Sequence, residues 1–332
     1  MTDSNANNVI PREGDPALVS RIFGWSMLGL LTAFLINNVL DVGFDYPGIF
    51  GIFKGGGGAA WLQAAICLIG IVGAVAIVTR SPRRSLRYDA HLIHTFNLYL
   101  VRALFWAVFL VGIVDATLSF MRVEGFLEPL MGEAAARNLG RASWVGIWVH
   151  MPLVALGFVV ALFTRTLGFV WLALLIVVAE LLIVISRFVF SYEQALMGDL
   201  VRYWYAALFL FASAYTLFDE GHVRVDILYA SFGRRKKGVV NAVGTILLGI
   251  TTCWVILAIC FNGKQSIVNA PVTNFEVSQA GPFGMFTKYQ MAAFIALFAV
   301  TMMIQFVSYF FEAVADKRGE PGHREVNASA AH

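Results

Sequence analysis

The sequence predicts an all-α, multi-pass integral membrane protein with about eight transmembrane helices and further interfacial amphipathic helices. Three observations carry this reading. Of 332 residues, 59% are hydrophobic and 14% are charged, where a soluble domain of this length carries about 25% charge. The mean hydropathy is +0.73. The apolar residues fall into eight runs, each close to the ~20 residues that cross ~30 Å of hydrocarbon. Backbone amides in lipid must bond within their own segment, so each run is expected to be a helix.

Residues 1–20 form a polar tail with Asp3, Glu13 and Asp15, without the basic start and short apolar core of a secretory signal. The runs follow at 21–40, 59–79, 97–118, 144–164, 167–190, 200–218, 238–261 and 288–312. The first weakens at Asn37, Asn38 and Asp41, and Gly55 to Gly58 is a flexible turn before the second. The connection 119–143 contains a helical stretch, Glu133 to Leu139. The connection 262–287, with Pro271, Gly281, Pro282 and Gly284, reads as a structured loop. The sixth run is short and rich in Tyr and Trp. Only a few residues join the fourth and fifth, so the chain divides near Arg165 into 21–166 and 167–315, followed by a polar tail, 316–332.

Lys and Arg gather on the cytoplasmic side of membrane proteins. With eight spans, sixteen of the 24 basic residues fall on one side, including the clusters Arg80 to Arg87 and Arg234 to Lys237. Both termini are therefore expected in the cytoplasm. The net charge of +3 is too small to imply a nucleic-acid partner. Gly263-Lys264-Gln265 and Gly55 to Gly58 lack the Gly-Lys-Ser/Thr ending of a phosphate-binding loop, so no nucleotide is expected. Cys67, Cys253 and Cys260 all lie in apolar runs and read as small buried residues.

Among the histidines only His150 lies well inside a run; His91 and His94 sit at a membrane edge among arginines. A membrane haem with two axial histidines lacks its second ligand, so neither metal nor cofactor is expected. Four ionisable groups do enter the runs: Asp115, His150, Glu180 and Arg187. They read either as an ion or proton relay or as interhelical polar pairs. Four scattered groups make no continuous path, which favours pairing. After the sixth run, a helix from Asp219 would pair Glu220 with Arg224 and His222 with Asp226 at i,i+4. The cluster Arg234, Arg235, Lys236 and Lys237 then serves as an anchor for anionic lipid.

The stretch Gly221-His222-Val223-Arg224-Val225-Asp226-Ile227-Leu228-Tyr229 resembles the signature of the small membrane subunit of tripartite ATP-independent periplasmic (TRAP) transporters. Ser186-Arg187-Phe188-Val189-Phe190 is similar to the end of that family's first helix, and Asp199 stands where the family usually has glutamate. Trp204-Tyr205 with Ala212-Ser213-Ala214 resembles its second helix, although glycine is more usual at Ala212. Phe275-Glu276-Val277-Ser278, Gly281-Pro282, Lys288 and Gln305 resemble the passage into and through its fourth.

The resemblance covers about 167–315 and leaves 1–166 as an extension. It implies a non-enzymatic subunit of a bacterial inner-membrane transporter. A periplasmic binding protein captures an organic anion, often a carboxylate, and a large elevator-type subunit carries it inward with sodium. The small subunit is a fixed scaffold that helps dock the binding protein. Sodium is expected in the large subunit. Partner or interface roles fall to Arg187, Asp199, His222, Arg224, Asp226, Glu276 and Lys288, with Arg187 and Asp199 pairing with each other or with the large subunit. A membrane anchor of a redox enzyme binding haem or quinone is the competing reading, resting on His150, Asp115 and the aromatic content. A stand-alone channel or carrier is a third.

Overall fold

The computed structural model describes residues 10–165, 168–218, 227–278 and 280–323. Eight helices are long and apolar enough to cross a membrane: α1 Leu18–Phe44, α2 Gly57–Arg80, α3 Leu86–Val123, α4 Ala142–Phe163, α5 Phe169–Phe190, α6 Ala195–Phe218, α7 Arg234–Cys260 and α8 Lys288–Arg318. The chain is an all-α, multi-pass membrane protein. Some connections carry helix too: Glu133–Leu139 forms as its sequence predicts. The connection 262–287 is a structured loop that includes an α-helical turn, Asn269–Thr273, and a 3-10 turn, Gly281–Phe283. Ser266 Oγ accepts from Asn269 N at 3.2 Å, and Pro271 sits in the first turn, where its missing N–H costs nothing.

Two helices stop with a left-handed residue other than glycine at the end. Asp45 (φ 60°) follows α1 and Ser191 (φ 51°) follows α5. In each case the next amide reaches back six residues, Tyr46 N to Leu40 O at 3.2 Å and Tyr192 N to Ser186 O at 3.1 Å, which satisfies carbonyls the helix leaves open.

Several helices overrun their apolar runs. α3 starts at Leu86 rather than near 97, α7 starts at Arg234 rather than near 238, and α8 continues to Arg318. The cause is pairing. Four polar residues of the first turns of α3, Arg87, Asp89, His94 and Asn97, are buried, so they extend the helix on its inward face. His94 is buried and lies 3.0 Å from Gln305 Oε1 through its Nδ1. The basic first turn of α7 opposes the helix dipole. Arg234 offsets this by pairing with Asp316 at 3.2 Å and donating to Glu320 O at 2.6 Å.

The chain forms two compact units. One holds the described residues within Met1–Asn97, Thr216–Ala258 and Met302–His332; the other holds Leu98–Tyr215 and Ile259–Thr301. Each unit draws residues from both sides of Arg165.

The first unit is organised by buried arginines. Arg21 Nε meets Asp89 Oδ2 at 2.8 Å with both side chains fully buried. Trp25 donates to the same oxygen at 3.0 Å, and Arg21 also donates to the Ser81 carbonyl and hydroxyl. Arg87 pairs with Glu312 and, at 2.7 Å, with Asp316, and donates to Pro321 O at 2.7 Å. Burial pushes the Glu320 carboxyl above the ordinary range, with Arg318 beside it pulling back. α1 and α2 meet at Gly29 and Gly70: a Cβ on Gly29 would lie 2.4 Å from Gly70 O. Such closeness lets helices gain packing energy in lipid, where no hydrophobic drive exists.

Replacing Asp89 with Ala strands the Arg21 guanidinium, and breaking a buried pair this way costs about 3–5 kcal/mol. Thermal unfolding of the purified protein in detergent is expected to show this loss. The double change Arg21→Met with Asp89→Leu is expected to recover most of it.

Candidate functional site

The second unit contains a buried polar chain assembled from four helices. Asp115 (α3), His150 (α4), Tyr203 (α6) and Tyr289 (α8) are each at most 2% exposed. Asp115 Oδ2 accepts from the Phe286 amide at 2.7 Å. His150 Nε2 stands 3.2 Å from Asp115 Oδ1, off the alignment of a hydrogen bond and with no other hydrogen-bond partner for either atom. His150 Nδ1 is 2.9 Å from the Tyr289 hydroxyl. Gln290 donates to that hydroxyl at 3.0 Å, and Tyr203 donates to Gln290 Oε1.

One proton assignment accommodates every hydrogen bond in this chain. Tyr203 donates to Gln290, Gln290 to Tyr289, Tyr289 to His150 Nδ1, and His150 Nε2–H faces the Asp115 carboxylate. Hydrogen-bond direction rather than observed hydrogens fixes this tautomer. The last turn before His150, Gly146–His150, is π-helical. One extra residue in a helix turn re-aims the side chains after it, and such turns recur at functional sites. His150 Nδ1 is engaged by Tyr289, and Nε2 faces the Asp115 carboxylate.

A second group of contacts lies near the ends of these helices. Arg122 donates to Leu139 O at 3.1 Å, Gly284 O at 3.0 Å and Pro282 O at 3.3 Å, and lies 3.8 Å over the Phe286 ring. Ser119 Oγ donates to Gly284 O at 2.7 Å. The long connections 119–143 and 262–287 are thereby tied together through one guanidinium. An apolar cluster of Leu118, Leu127, Leu139, Val145 and Phe286 packs beneath them.

Asp199 locks the second connection to α6. Its carboxylate accepts from Met285 N at 3.0 Å and Ser278 Oγ at 3.3 Å, and pairs with Arg202 at 2.9 Å. Gly284 makes this possible, because a Cβ there would stand 2.5 Å from both Asp199 Oδ2 and Ser278 Oγ.

The structure thus brings Asp115 and His150 together and separates other expected partners. Arg187 pairs with Glu193 at 3.4 Å, both exposed, not with Asp199. Glu276 pairs with Lys288. Glu180 is exposed on α5. Arg235 and Lys236 are exposed, while Lys237 lies 5.1 Å over the Tyr229 ring. His222, Arg224 and Asp226, with the pairs drawn through them, lie outside the described residues.

Sequence reasoning missed Arg122, Tyr203, Tyr289 and the Arg21–Asp89 pair. Arg122 and Arg21 stand at run ends and read as ordinary interfacial charges. Tyrosine in an apolar run carries no signal of its own. Asp89 is 68 residues from its partner, a distance no local spacing encodes.

Residues 174–316 match the family model of the DctQ component of tripartite ATP-independent periplasmic transporters. This region of the chain is DctQ-like. No curated protein and no solved structure matches the chain.

Asp199→Ala frees the Met285 amide and the Ser278 hydroxyl, each costing about 1–3 kcal/mol if left unsatisfied. Faster hydrogen exchange at Met285 and its neighbours is the expected result, with Asp199→Asn falling between Ala and the native residue.

Proposed function

We propose that this protein is the small permease subunit of a sodium-coupled TRAP transporter, non-enzymatic and resident in the bacterial inner membrane with both termini cytoplasmic. It is the fixed scaffold beside a large elevator-type subunit, and it helps a periplasmic solute-binding protein dock during uptake of an organic anion, a carboxylate by class. The DctQ match over 174–316 carries this reading. The interior supports it in a second way. Asp115, His150, Tyr289, Gln290 and Tyr203 use their polar atoms on one another and on backbone. Groups committed to each other hold helices in place; a solute path needs groups that exchange partners.

The surface built by Arg122 supports the docking role. It joins 119–143, from the extension, to 262–287, from the DctQ region, into one platform. The Glu276–Lys288 pair borders that platform, and Asp199 fixes its backbone. Arg187 and Glu193, exposed at the end of α5, are assigned to contact with the large subunit. His222, Arg224 and Asp226 are assigned to the cytoplasmic interface after α6. Arg235 and Lys236, with Arg234 and Lys237 beside them, are assigned to anionic lipid headgroups. Sodium belongs to the large subunit. The extension, α1 to α4, widens the scaffold.

The test is reconstitution. Liposomes holding this chain and the large subunit, supplied with the binding protein, solute and a sodium gradient, are expected to accumulate solute. Liposomes with this chain alone are expected to be inert, and solute flux through them would sink the proposal. Within the complex, Arg122→Ala is expected to weaken capture of the binding protein by about tenfold, read by interferometry on nanodiscs, because the platform loses its central tie.

A further inference from the structure

α5 is the least embedded of the eight helices: 6% of its apolar window is buried, against 50% for α8. Val170, Leu174, Val177, Leu181, Val184 and Phe188 recur along it at alternating steps of four and three, and each is 49% exposed or more. Such spacing forms the seam of left-handed helix pairs. Lipid alone would also accept an apolar stripe, so the stripe by itself decides nothing.

Glu180 decides it. It lies at the midpoint of α5, three residues after Val177 and four before Val184, on the edge of the stripe. It is exposed and makes no hydrogen bond or ion pair among the described residues. The nearest cation along the helix, Arg187, is two turns away and takes Glu193. Elsewhere this chain pairs its deep acids, Asp89 with Arg21 and Asp115 with His150. A carboxyl group facing hydrocarbon at mid-depth has nothing to bond and is among the costliest placements a membrane protein makes.

We propose that the α5 stripe is the seat of a transmembrane helix of the large subunit, and that this helix brings a hydrogen-bond donor or cation to Glu180 at mid-depth. The inference rests on the reading of the chain as a TRAP small subunit. Glu180 lies within the DctQ-like region, which places α5 in the part of the chain that belongs to the complex. Charge argues against a second copy. A two-fold contact presents the same patch from both sides, and a seam through this face would set two Glu180 carboxyls near one another. Lipid tails offer no donor at this depth.

The test uses the full chain coexpressed with the large subunit. Cysteines at Val177→Cys and Leu181→Cys, labelled with a benzophenone maleimide and irradiated in membranes, are expected to give adducts with the large subunit. Ile69→Cys on α2, also exposed and apolar, is expected to give none. Glu180→Leu is expected to leave the thermal stability of the purified chain equal or higher, since no internal partner is lost. The same change is expected to lower copurified large subunit by about tenfold through the stranded donor. Glu180→Gln, which keeps an acceptor oxygen, is expected to retain more.

Adducts between two copies of this chain, or no protein adduct from α5 while the large subunit still copurifies, overturn the inference and leave the transporter reading standing. So does an unchanged yield with Glu180→Leu. A large subunit that fails to copurify even with the native chain overturns both.

Discussion

Hydrocarbon offers no hydrogen bonds, and that single constraint orders most of what holds this chain together. An ionisable side chain carried into the membrane region must find its partner on another helix or be paid for elsewhere. Arg21 and Asp89 solve this between the start of α1 and the start of α3. Asp115, His150 and Tyr289 solve it among α3, α4 and α8. Each solution fixes helix rotation as well as position, because a carboxylate that misses its partner by one helical step meets lipid or an apolar side chain. Apolar contact cannot give that information, since lipid tails are as good a neighbour as leucine. Small residues set how near helices approach, as at Gly29 and Gly70. The polar pairs set which faces meet.

The same constraint explains which parts of the protein could be read from sequence. Helix number follows from the lengths of the apolar runs, and the Glu133–Leu139 helix follows from its composition. Helix ends were less legible. α3 begins eleven residues ahead of its apolar run because Arg87, Asp89, His94 and Asn97 each find a partner within the first unit. A rule that stops a helix at its first charge must fail there, since pairing over 60 residues and more cancels the charge. The basic turn opening α7 is the same case, with Asp316 doing the cancelling.

The candidate site divides in the same manner. Asp115 and His150 stood out as ionisable groups within apolar runs. Tyr203 and Tyr289 did not stand out, because a phenol in a membrane helix is as often a lipid-facing amphipathic ring as a buried donor. Arg122 was hidden for the opposite reason. A basic residue at a helix end is the commonest sight in a membrane protein, and its use as a bridge between two connections depends on carbonyls at Leu139, Pro282 and Gly284. Backbone acceptors have no signature in sequence.

The contacts of the second unit also bear on what the four-helix extension is for. Phe286 N–H, at the entry to α8, is satisfied by Asp115 of α3, and the Tyr289 hydroxyl by His150 of α4. Trp204 of α6 lies against Gly112 of α3, where a Cβ would be 2.3 Å from its Nε1. Each is a residue of the DctQ region whose buried partner comes from the extension. An appendage added to a finished domain would meet it across an apolar seam and leave the domain's polar groups satisfied among themselves. Here Asp115 meets the Phe286 amide, and His150 adds a second bond to a Tyr289 hydroxyl that Gln290 already reaches, so extension and region fold as one interior. That argues for α3 and α4 as structural parts of this interior rather than attachments to it.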